Sequence, residues 1–556
     1  MLHTRGPLLS IDVGEQTSHT EDIGDILEEF IGGRGLNTKL AHDRIPFDAD
    51  PLGRDNRLFF STGPLQTSTM SFTGRMSATG LSPLTTGLLS SNAGGFLSRN
   101  FAATGYAAVE VTGKSDELVA IHITDDEIRF EPVPQLREAK ISDVTDYMEK
   151  THGVGPDQIL AIGPAGENQV RFASIMTSES RAFGRGGLGA LMGSKNVKAV
   201  TFDGDSTPTV EHPAPDTLKS VTQDAATSDS LMKTQGTTSL TDMANEMGFF
   251  PSRYFENTSF DGYEKINGDV VESKKYKKAT CSQCAFACKL PTRDEESGVE
   301  TEGPEFETVM SFGGNPEVDD IVSIMKSNEL CDELGMDTIS AGNTVSAYIA
   351  AEDEWGNGDL VNELTEKIAY REEEGDLLAE GVHRVHEELG VDDWTVKGMS
   401  FSAHDGRFAN GQGLSFATAN RGADHMYSTF YAFEYPLVDK ELAVDNEGLE
   451  GKPPLIVEQE ALRAVEDSGV VCRFSRGIVT MQKDRLEAIF DRDYDQLVDI
   501  GEQIVTLERH FNNERGFDRE DDRVPYDLPK FEAALDEYYE AHGWNDDGTV
   551  PEELVA

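Results

Sequence analysis

Three cysteines fall within eight positions of this chain, and their spacing restricts how the rest of it can fold. Cys281, Cys284 and Cys288 form a C-x2-C-x3-C pattern in a sequence of 556 residues that has five cysteines in all. Thiols at this spacing could ligate zinc, could ligate an iron–sulfur cluster, or could bind no metal. A metal site would need a fourth ligand, so the fold would have to bring a distant residue to this loop.

The sequence around the thiols favours an iron–sulfur cluster over zinc, but leaves zinc and inert thiols open. Neither a second C-x2-C pair nor a His pair follows within about 90 residues, as a zinc ribbon usually requires. A cluster accepts a fourth thiolate from far along the chain. Cys331 lies within an amphipathic helical pattern, where we expect a small buried side chain. Cys472 lies where a predicted helix gives way to a loop.

The charge of the chain excludes several classes of partner. It has 101 acidic and 48 basic residues, a formal net charge of −53, which repels nucleic acid and anionic membrane surfaces. The acids are spread between apolar segments, which favours a folded protein in a salt-rich cell over a disordered acidic chain. The sequence has no apolar run of membrane-spanning length and no signal-peptide pattern at residues 1–16, so we expect a cytoplasmic protein.

The pattern of short apolar runs and turns predicts a multidomain α+β fold. Residues 1–207 are predicted to form a β-rich domain, with strand-like runs separated by turn clusters. These runs are RLFFSTG (57–63), AAVEVTG (107–113), LVAIHIT (118–124) and VKAVTF (197–202). A proline-rich stretch at 204–216 is typical of a domain boundary.

Helical patterns dominate the rest of the chain, which we divide into two mainly α-helical domains, 208–400 and 401–556. Residues 319–335 have apolar side chains at near-helical spacing, and Gly335 is placed to end that helix. Amphipathic helices are also predicted within 361–390, as a pair, and at 495–516 and 530–544.

A dozen segments in a fixed order carry a resemblance to a known family. They are IGGRGLNTKL (31–40), STGPL (61–65), SFTGRMS (71–77), SPLTTG (82–87), SNAGGF (91–96), IGPAGEN (162–168), RAFGRGGLGALMGSKNVKA (181–199), EGPEFET (302–308), NELCDELGMDTIS (328–340), ATANRGADH (417–425), EDSGVVC (466–472) and GFDREDDRVP (516–525). Together with CSQCAFAC (281–288), the sequence resembles the tungsten-containing aldehyde ferredoxin oxidoreductase family, as a haloarchaeal-like member. The match extends over nearly the whole chain.

The resemblance implies which residues hold the cofactors. It assigns Cys281, Cys284, Cys288 and Cys472 to a 4Fe–4S cluster. It assigns a tungsten or molybdenum bis-pterin, with Mg2+ bridging the pterin phosphates, to a further set of residues. That set is Arg75, Asn92, Ala93, Gly94, Gly95, Arg181, Ala182, Gly184, Asp332, Gly335, Met336, Asp337, Asp467 and Val471. Glycine lets backbone N–H groups approach phosphate and arginine adds paired hydrogen bonds, although the same glycines would also suit tight turns.

Two segments of the family type D-x-x-G-L-[CD] differ in how well they match. Residues 332–337 keep the glycine and have Met336 in place of leucine. Residues 467–472 have Val470 where the family has glycine, with Gly469 one place earlier. The backbone conformation at Val470 is therefore the least certain part of the predicted pterin site.

The resemblance also implies catalytic residues and partners. Glu307 and His425 match the acid/base groups beside the metal, and Glu305 is a local rival of Glu307. The implied reaction oxidises an aldehyde to a carboxylic acid and passes electrons through the cluster to ferredoxin. Lys326 and Ser327 replace the acidic iron-binding stretch that some family dimers share, so we predict no such iron, and a homodimer stays open.

Two alternatives remain at this point. A protein of the same fold could act on a sugar-phosphate aldehyde, on formaldehyde, or on an aromatic acid derivative within a complex. A zinc-stabilised binding protein without catalytic activity is the alternative from another class.

Overall fold

Two six-stranded β-sheets form the first part of the protein in the computed structural model, which describes residues 1–435 and 437–555. The first sheet has the order β2-β1-β6-β3-β4-β5, and the second has the order β11-β10-β9-β12-β7-β8. The strands are β1 Leu8–Asp12, β2 Thr17–Glu21, β3 Leu58–Ser61, β4 Met76–Leu81, β5 Leu88–Ala93, β6 Ala108–Thr112, β7 Val119–Ile123, β8 Ile128–Pro132, β9 Ile159–Ala161, β10 Ile175–Thr177, β11 Arg181–Phe183 and β12 Val197–Phe202. Pairing is antiparallel except between β1 and β6 and between β7 and β12.

The two sheets pack face to face because each presents a row of buried aliphatic and aromatic side chains. Residues such as Phe60 on β3 and Ile121 on β7 belong to one continuous core. The outer face of the first sheet is covered by the helices Gly24–Phe30 and Gly33–Arg44. Helix Ile141–His152 covers the outer face of the second sheet. The other helices of this part are Leu97–Ala103, Pro164–Glu167 and Leu188–Ser194.

Helices make up most of the regular secondary structure beyond residue 214. They are Pro215–Thr227, Met232–Gln235, Thr241–Met247, Gly268–Lys274, Phe306–Val309, Ile321–Leu334, Thr338–Glu352, Gly358–Tyr370, Glu374–Leu378, Val382–Leu389, Asn410–Thr418, Tyr431–Glu434, Pro453–Gly469, Lys483–Phe490, Tyr494–Glu514 and Phe531–His542. Two small hairpins interrupt them, Pro291–Arg293 with Glu300–Glu302 and Thr395–Val396 with Met399–Ser400. The largest apolar core includes side chains from Ala244 to Val550, so most of these helices share one interior, whereas Pro215–Thr227 and Lys483–Phe490 pack in a second cluster.

The predicted α+β fold is confirmed, and most predicted elements lie within two or three residues of the observed ones. Gly335 ends the helix Ile321–Leu334 in the left-handed conformation, as expected for a glycine cap. Cys331 is fully buried in that helix. The range 361–390 contains three helices where the sequence indicated two. In the described residues no helix is long and apolar enough to span a membrane.

Candidate functional site

A cavity of about 220 Å3 lies where the β-sheets meet the helices, and basic side chains line much of it. Its walls include Arg75, Asn92, Gly184, Arg185, Arg421, Asp424, His425, Asp467, Val471 and Arg473. Six of these ten were predicted from the sequence, namely Arg75, Asn92, Gly184, His425, Asp467 and Val471. Arg75 directly precedes β4, Asn92 lies near the end of β5, and Gly184 directly follows β11. His425 lies in the loop 419–430, and the end of the helix Pro453–Gly469 with the residues just after it supplies Asp467 and Val471.

Asp467 links the two sides of this cavity. Its Oδ1 accepts a hydrogen bond from Asn92 Nδ2 at 2.7 Å, and its Oδ2 accepts one from Arg473 Nη2 at 2.9 Å. Arg34 Nη1 lies 3.4 Å from the same Oδ2. Although burial by itself raises the pKa of the Asp467 carboxyl, Arg473 and Arg34 together hold that pKa below its ordinary value. Asp467 is therefore an ionised carboxylate in the interior.

Arg75 and Arg185 place further positive charge at the edge of the cavity. Arg75 Nη2 donates to the carbonyl of Asn92 at 3.0 Å. Arg185 Nη1 donates to the carbonyl of Ala423 at 3.1 Å, and Arg185 Nε lies 3.3 Å from Asp337 Oδ2. Asp337 also caps the helix Thr338–Glu352 by accepting the backbone N–H of Ser340 at 2.9 Å.

The donor set around the cavity fits an anionic group. Asn92 Oδ1 and Arg473 Nε are buried and have no hydrogen-bond partner within the described part of the chain. Four arginines converge on the cavity in a chain whose net charge is −53. A phosphate-bearing cofactor would supply acceptors for guanidinium groups and for exposed backbone N–H groups, and a bridging cation would suit the free amide oxygen.

The two D-x-x-G type segments end their helices in the same way, despite the valine in the second. Gly335 has φ 76° and ψ 60°, and Val470 has φ 59° and ψ 38°. Val470 therefore keeps the left-handed conformation that glycine adopts in the first segment. A β-branched residue in this region is strained, by about 1–2 kcal/mol. The left-handed turn that ends the first segment is therefore also present in the second, despite the valine.

The fold brings Cys472 to the loop that carries the other three thiols. Cys284, Cys288 and Cys472 pack against the same apolar cluster. Arg75 Nη1 lies 4.0 Å from Cys472 Sγ, and a Cβ built on Gly94 would lie 3.7 Å from that nitrogen and 3.4 Å from Cys281 Sγ. All four thiols are half-buried and free of disulfides.

Backbone contacts from the first part of the chain hold the thiol loop in place. The N–H of Cys472 donates to Phe72 O at 2.8 Å, and that of Ser282 donates to Gly95 O at 2.9 Å. The N–H of Ala285 donates to Ser71 Oγ at 2.9 Å. The predicted residues Gly94 and Gly95 therefore border the thiol loop, and Ala93 ends the strand β5 just before them.

The thiol sulfurs are not gathered as closely as four ligands of one zinc ion would be. In the described residues, no three thiol sulfurs lie within 4.8 Å of one another. Zinc with four thiolates at about 2.3 Å would bring its sulfurs to about 3.8 Å apart. The wider arrangement suits a larger cluster.

Glu307 faces two histidines. It lies in the short helix Phe306–Val309, which continues into a π-helical turn, Met310–Gly314, a feature common at functional sites. Glu307 Oε2 accepts the backbone N–H of Ala403 at 2.7 Å. Its Oε1 lies 3.2 Å from His404 Nε2 and 3.4 Å from His425 Nε2, but neither contact is aligned as a hydrogen bond.

Burial decides the charge state of these three groups. It raises the pKa of Glu307, an effect that the nearby His425 partly offsets. It lowers the pKa of His425 to about 4, and it lowers the pKa of His404, with Arg476 adding to the effect. Both imidazoles are therefore neutral near pH 7 and can accept or donate single hydrogen bonds.

A second cavity, of about 440 Å3, opens on the other side of these groups. Glu307, His404 and His425 line it, and its other walls are mainly apolar or aromatic, including Phe286, Phe306 and Tyr431. Tyr431 stacks on His404, with ring centroids 3.7 Å apart. His425, Met426 and Arg473 border both cavities, so the phosphate-type site and the apolar chamber are neighbours.

Some predicted residues lie outside both cavities. Glu305 accepts hydrogen bonds from the Thr237 hydroxyl and, at 3.1 Å, from the Thr237 N–H, so it is turned away from Glu307. Arg181 pairs with Glu302 beside the thiols. Asp332 lies 3.3 Å from Asn328 Nδ2, and burial raises its pKa. Ala182 packs under the second sheet, and Met336 bridges to Ala173.

The sequence analysis missed several residues that the structure brings to the site. They are His404, Tyr431, Arg185, Arg421 and Arg473. Arg185, Arg421 and Arg473 lie within or directly beside segments already singled out, so their position was the available signal. For His404 the sequence offered no signal, because nothing in the pattern SAHDGR (402–407) relates this histidine to Glu307.

Comparison with known proteins identifies the family. The model "Aldehyde ferredoxin oxidoreductase, N-terminal domain" matches residues 8–204, and "Aldehyde ferredoxin oxidoreductase, domains 2 & 3" matches residues 216–556. The chain belongs to the aldehyde ferredoxin oxidoreductase family. The prediction of an oxidoreductase of this family is thereby confirmed.

Relatives of the aldehyde ferredoxin oxidoreductase family align along almost the whole chain. The tungsten-containing aldehyde ferredoxin oxidoreductase of Pyrococcus furiosus is 32% identical, covering 96% of this chain and 94% of its own length. The enzyme of the same name from Thermococcus kodakarensis is 31% identical, covering 99% and 97%. The solved active-site complex BamBC of benzoyl coenzyme A reductase shares the fold, with a TM-score of 0.81 over 100% of this chain and 97% of that one at 21% identity.

Proposed function

We propose that this protein oxidises an aldehyde to a carboxylic acid and delivers the electrons to ferredoxin. The overall change adds water to the aldehyde and releases two electrons and two protons. The observation that carries this proposal is Glu307 Oε1, a buried carboxylate oxygen without an aligned partner. It lies beside two neutral imidazoles on the wall of the larger cavity, and one of them, His425, also borders the smaller cavity. Family membership and the name of the relatives support the same reaction.

The smaller cavity would hold the phosphate end of the cofactor. Arg75, Asn92, Gly184, Asp467 and Val471 would contact the pterin groups or the bridging Mg2+, with Arg185, Arg421 and Arg473 as further donors. Cys281, Cys284, Cys288 and Cys472 would hold the 4Fe–4S cluster, which their wide spacing supports over zinc. When bound, a tungsten or molybdenum bis-pterin would supply the two-electron oxidation and the cluster a one-electron relay.

The residues of the chain would bind the aldehyde and move protons. The apolar walls of the 440 Å3 cavity exclude water from the organic part of the substrate and leave its carbonyl beside Glu307. The Glu307 carboxylate, held through Oε2 by the Ala403 N–H, would accept a proton at Oε1 from water or from the aldehyde hydrate. Neutral His425 would hydrogen-bond the substrate oxygen. His404, stacked on Tyr431, keeps Glu307 oriented.

Replacing Glu307 with glutamine tests the proposal. The variant keeps the size of the side chain and removes its basicity, so aldehyde-dependent reduction of methyl viologen should fall by about 10²–10⁴. Anaerobically purified wild type and variant should contain the same iron and tungsten or molybdenum. The Glu305→Gln variant is the matched control, because Glu305 is equally buried but bonded to Thr237, and it should retain most of its activity.

The outcomes separate the alternatives. Near-normal activity of the Glu307→Gln variant would remove Glu307 from the mechanism. One equivalent of zinc, without iron, tungsten or molybdenum, would instead favour the zinc-stabilised binding protein. A panel of small, aromatic and phosphorylated aldehydes would then identify the substrate within the apolar chamber.

A further inference from the structure

The segment that carries three of the thiols is basic, in contrast to the chain as a whole. Residues 274–293 include five lysines and one arginine and no acidic residue. Elsewhere the 101 acidic residues outnumber the basic ones by more than two to one. A local reversal of this kind creates a positive surface within a negative field, and that contrast directs the approach of charged partners.

The lysines and the thiols occupy one irregular hairpin. An antiparallel bridge joins Lys275 to Thr292 and another joins Ala279 to Lys289, so the loop 280–288 forms the tip. The N–H of Tyr276 adds a hydrogen bond to Pro291 O at 3.2 Å. Lysines on the first arm therefore lie within a few residues of the Cys281 and Cys284 sulfurs, on an arm fixed to the loop that holds them.

Not every lysine of this segment is free to meet a partner. Lys274 Nζ pairs with Asp294 at 2.7 Å, and Lys289 is buried over Phe96. Lys277 and Lys278 are exposed, and within the described chain neither has a carboxylate oxygen within 4.0 Å. In a protein with so many acids, two adjacent unpaired lysines are conspicuous.

An exposed leucine lies in the turn next to this hairpin, where it also borders the 440 Å3 cavity. Leu231 is 61% exposed, the highest value among the large apolar side chains that the structure describes. The turn that contains it is tied to the hairpin because Lys275 Nζ donates to Lys233 O at 3.0 Å. Lys233 Nζ in turn lies 5.8 Å from the ring centroid of Phe286, which is in the thiol loop. Leu231, Lys233, Lys275, Lys277 and Lys278 are named the basic patch below.

We propose that the basic patch is the docking surface for a small acidic iron–sulfur protein of the ferredoxin type. The proposal rests on the function proposed above, since it assumes that electrons leave through the four-thiol site. Opposite charges in direct contact would favour binding of the acidic partner at this surface over the negative remainder of the molecule. The exposed leucine would supply the apolar contact that a brief but specific complex needs at its centre.

The same arrangement explains how a chain of charge −53 can receive an acidic partner. Screening shortens electrostatic range to about 3 Å at 1 M salt, so in concentrated salt only groups in direct contact still interact. The net charge of the chain then has little effect on binding, and the charges of the docking surface determine whether the acidic partner binds. In dilute salt the rest of the protein would repel the partner, so the rate of association should pass through a maximum as salt increases.

Charge reversal at Lys277 and Lys278 tests the proposal in the holoenzyme. Reduction of an acidic ferredoxin by the variant K277E/K278E should show a KM about tenfold higher than wild type, because two contact charges change sign. Methyl viologen reduction and iron content should be unchanged, since both lysines are exposed and neither touches the cavities. The variant K114E/K530E, which makes the same change of charge at two exposed lysines outside the patch, is the matched control.

Each outcome has a distinct meaning. A ferredoxin KM that rises in K277E/K278E and not in K114E/K530E supports the basic patch. Equal KM values for all three proteins would overturn the proposal. A wild-type protein that reduces neither viologen nor ferredoxin with any aldehyde would instead refute the proposed function, so the two failures can be told apart.

Discussion

Replacing Val470 with glycine should relieve backbone strain, and alanine provides the reference. Val470 is buried and has φ 59°, whereas Val465, in the same helix, is equally buried and helical. At both positions a change to alanine removes two methyl groups, about 1.6 kcal/mol of apolar burial. The left-handed conformation costs about 1–2 kcal/mol for any L-residue with a Cβ, and glycine escapes this cost.

The comparison of alanine with glycine isolates the strain. At Val465 glycine should be less stable than alanine by about 1 kcal/mol from helix propensity and about 0.8 kcal/mol from the lost methyl group. At Val470 the relief of strain should offset most of that difference, leaving the two variants within about 1 kcal/mol of each other. The four variants should be compared as holoenzymes in one high-salt buffer.

Urea unfolding measures this difference, with the free energies extrapolated to water from parallel transitions. Far-UV circular dichroism and tryptophan fluorescence should be followed together, because a protein of this size need not unfold in one step. If the gap between alanine and glycine is the same at Val470 as at Val465, Val470 carries no strain and our account of the second D-x-x-G type segment is wrong.

Two further predictions concern buried ionisable groups. Because burial raises the pKa of Glu307 above its ordinary value of 4.5, kcat/KM should fall as pH decreases through a point above 4.5, and a pH profile of viologen reduction checks this against the Glu305→Gln variant. Lys452 Nζ lies 2.7 Å from Glu434 Oε1, and both side chains are buried, so Lys452→Met should lower the free energy of unfolding by about 3–5 kcal/mol. Adding Glu434→Gln to Lys452→Met should restore part of that loss in the same urea assay, and no recovery would mean that the ion pair is not the cause.

Local sequence patterns were enough to predict most of the secondary structure, but not how the helices and strands pack against one another. The strand-like runs around Phe60 and Ile121 and the helix that Gly335 ends were predictable, because periodicity and capping are local properties. The helix Gly33–Arg44 was missed, since its two glycines and polar residues give little amphipathic pattern and its burial depends on tertiary contacts.

The residues of the candidate site were predicted from motifs, so a site residue outside every motif was missed. Residues inside long matching segments, such as Asn92 and Asp467, are found together at one cavity. His404 could not be predicted, because its contact with Glu307 spans almost a hundred residues and depends on the packing of Tyr431. The sequence favoured Glu307 but left Glu305 as a rival. The structure separates the two carboxylates, because Glu305 accepts hydrogen bonds from Thr237 whereas Glu307 accepts one from the Ala403 N–H.

The contacts of Cys472 bear on the order in which the protein is assembled. The four-thiol site is built from a loop near residue 284, from the backbone of Phe72 and Gly95, and from a cysteine that is synthesised last. A ribosome must therefore have passed residue 472, and the final third must have docked, before the site is complete. Loading of the proposed cluster would then be a late step in biogenesis, and a chain truncated before Cys472 would lack the fourth of the proposed ligands.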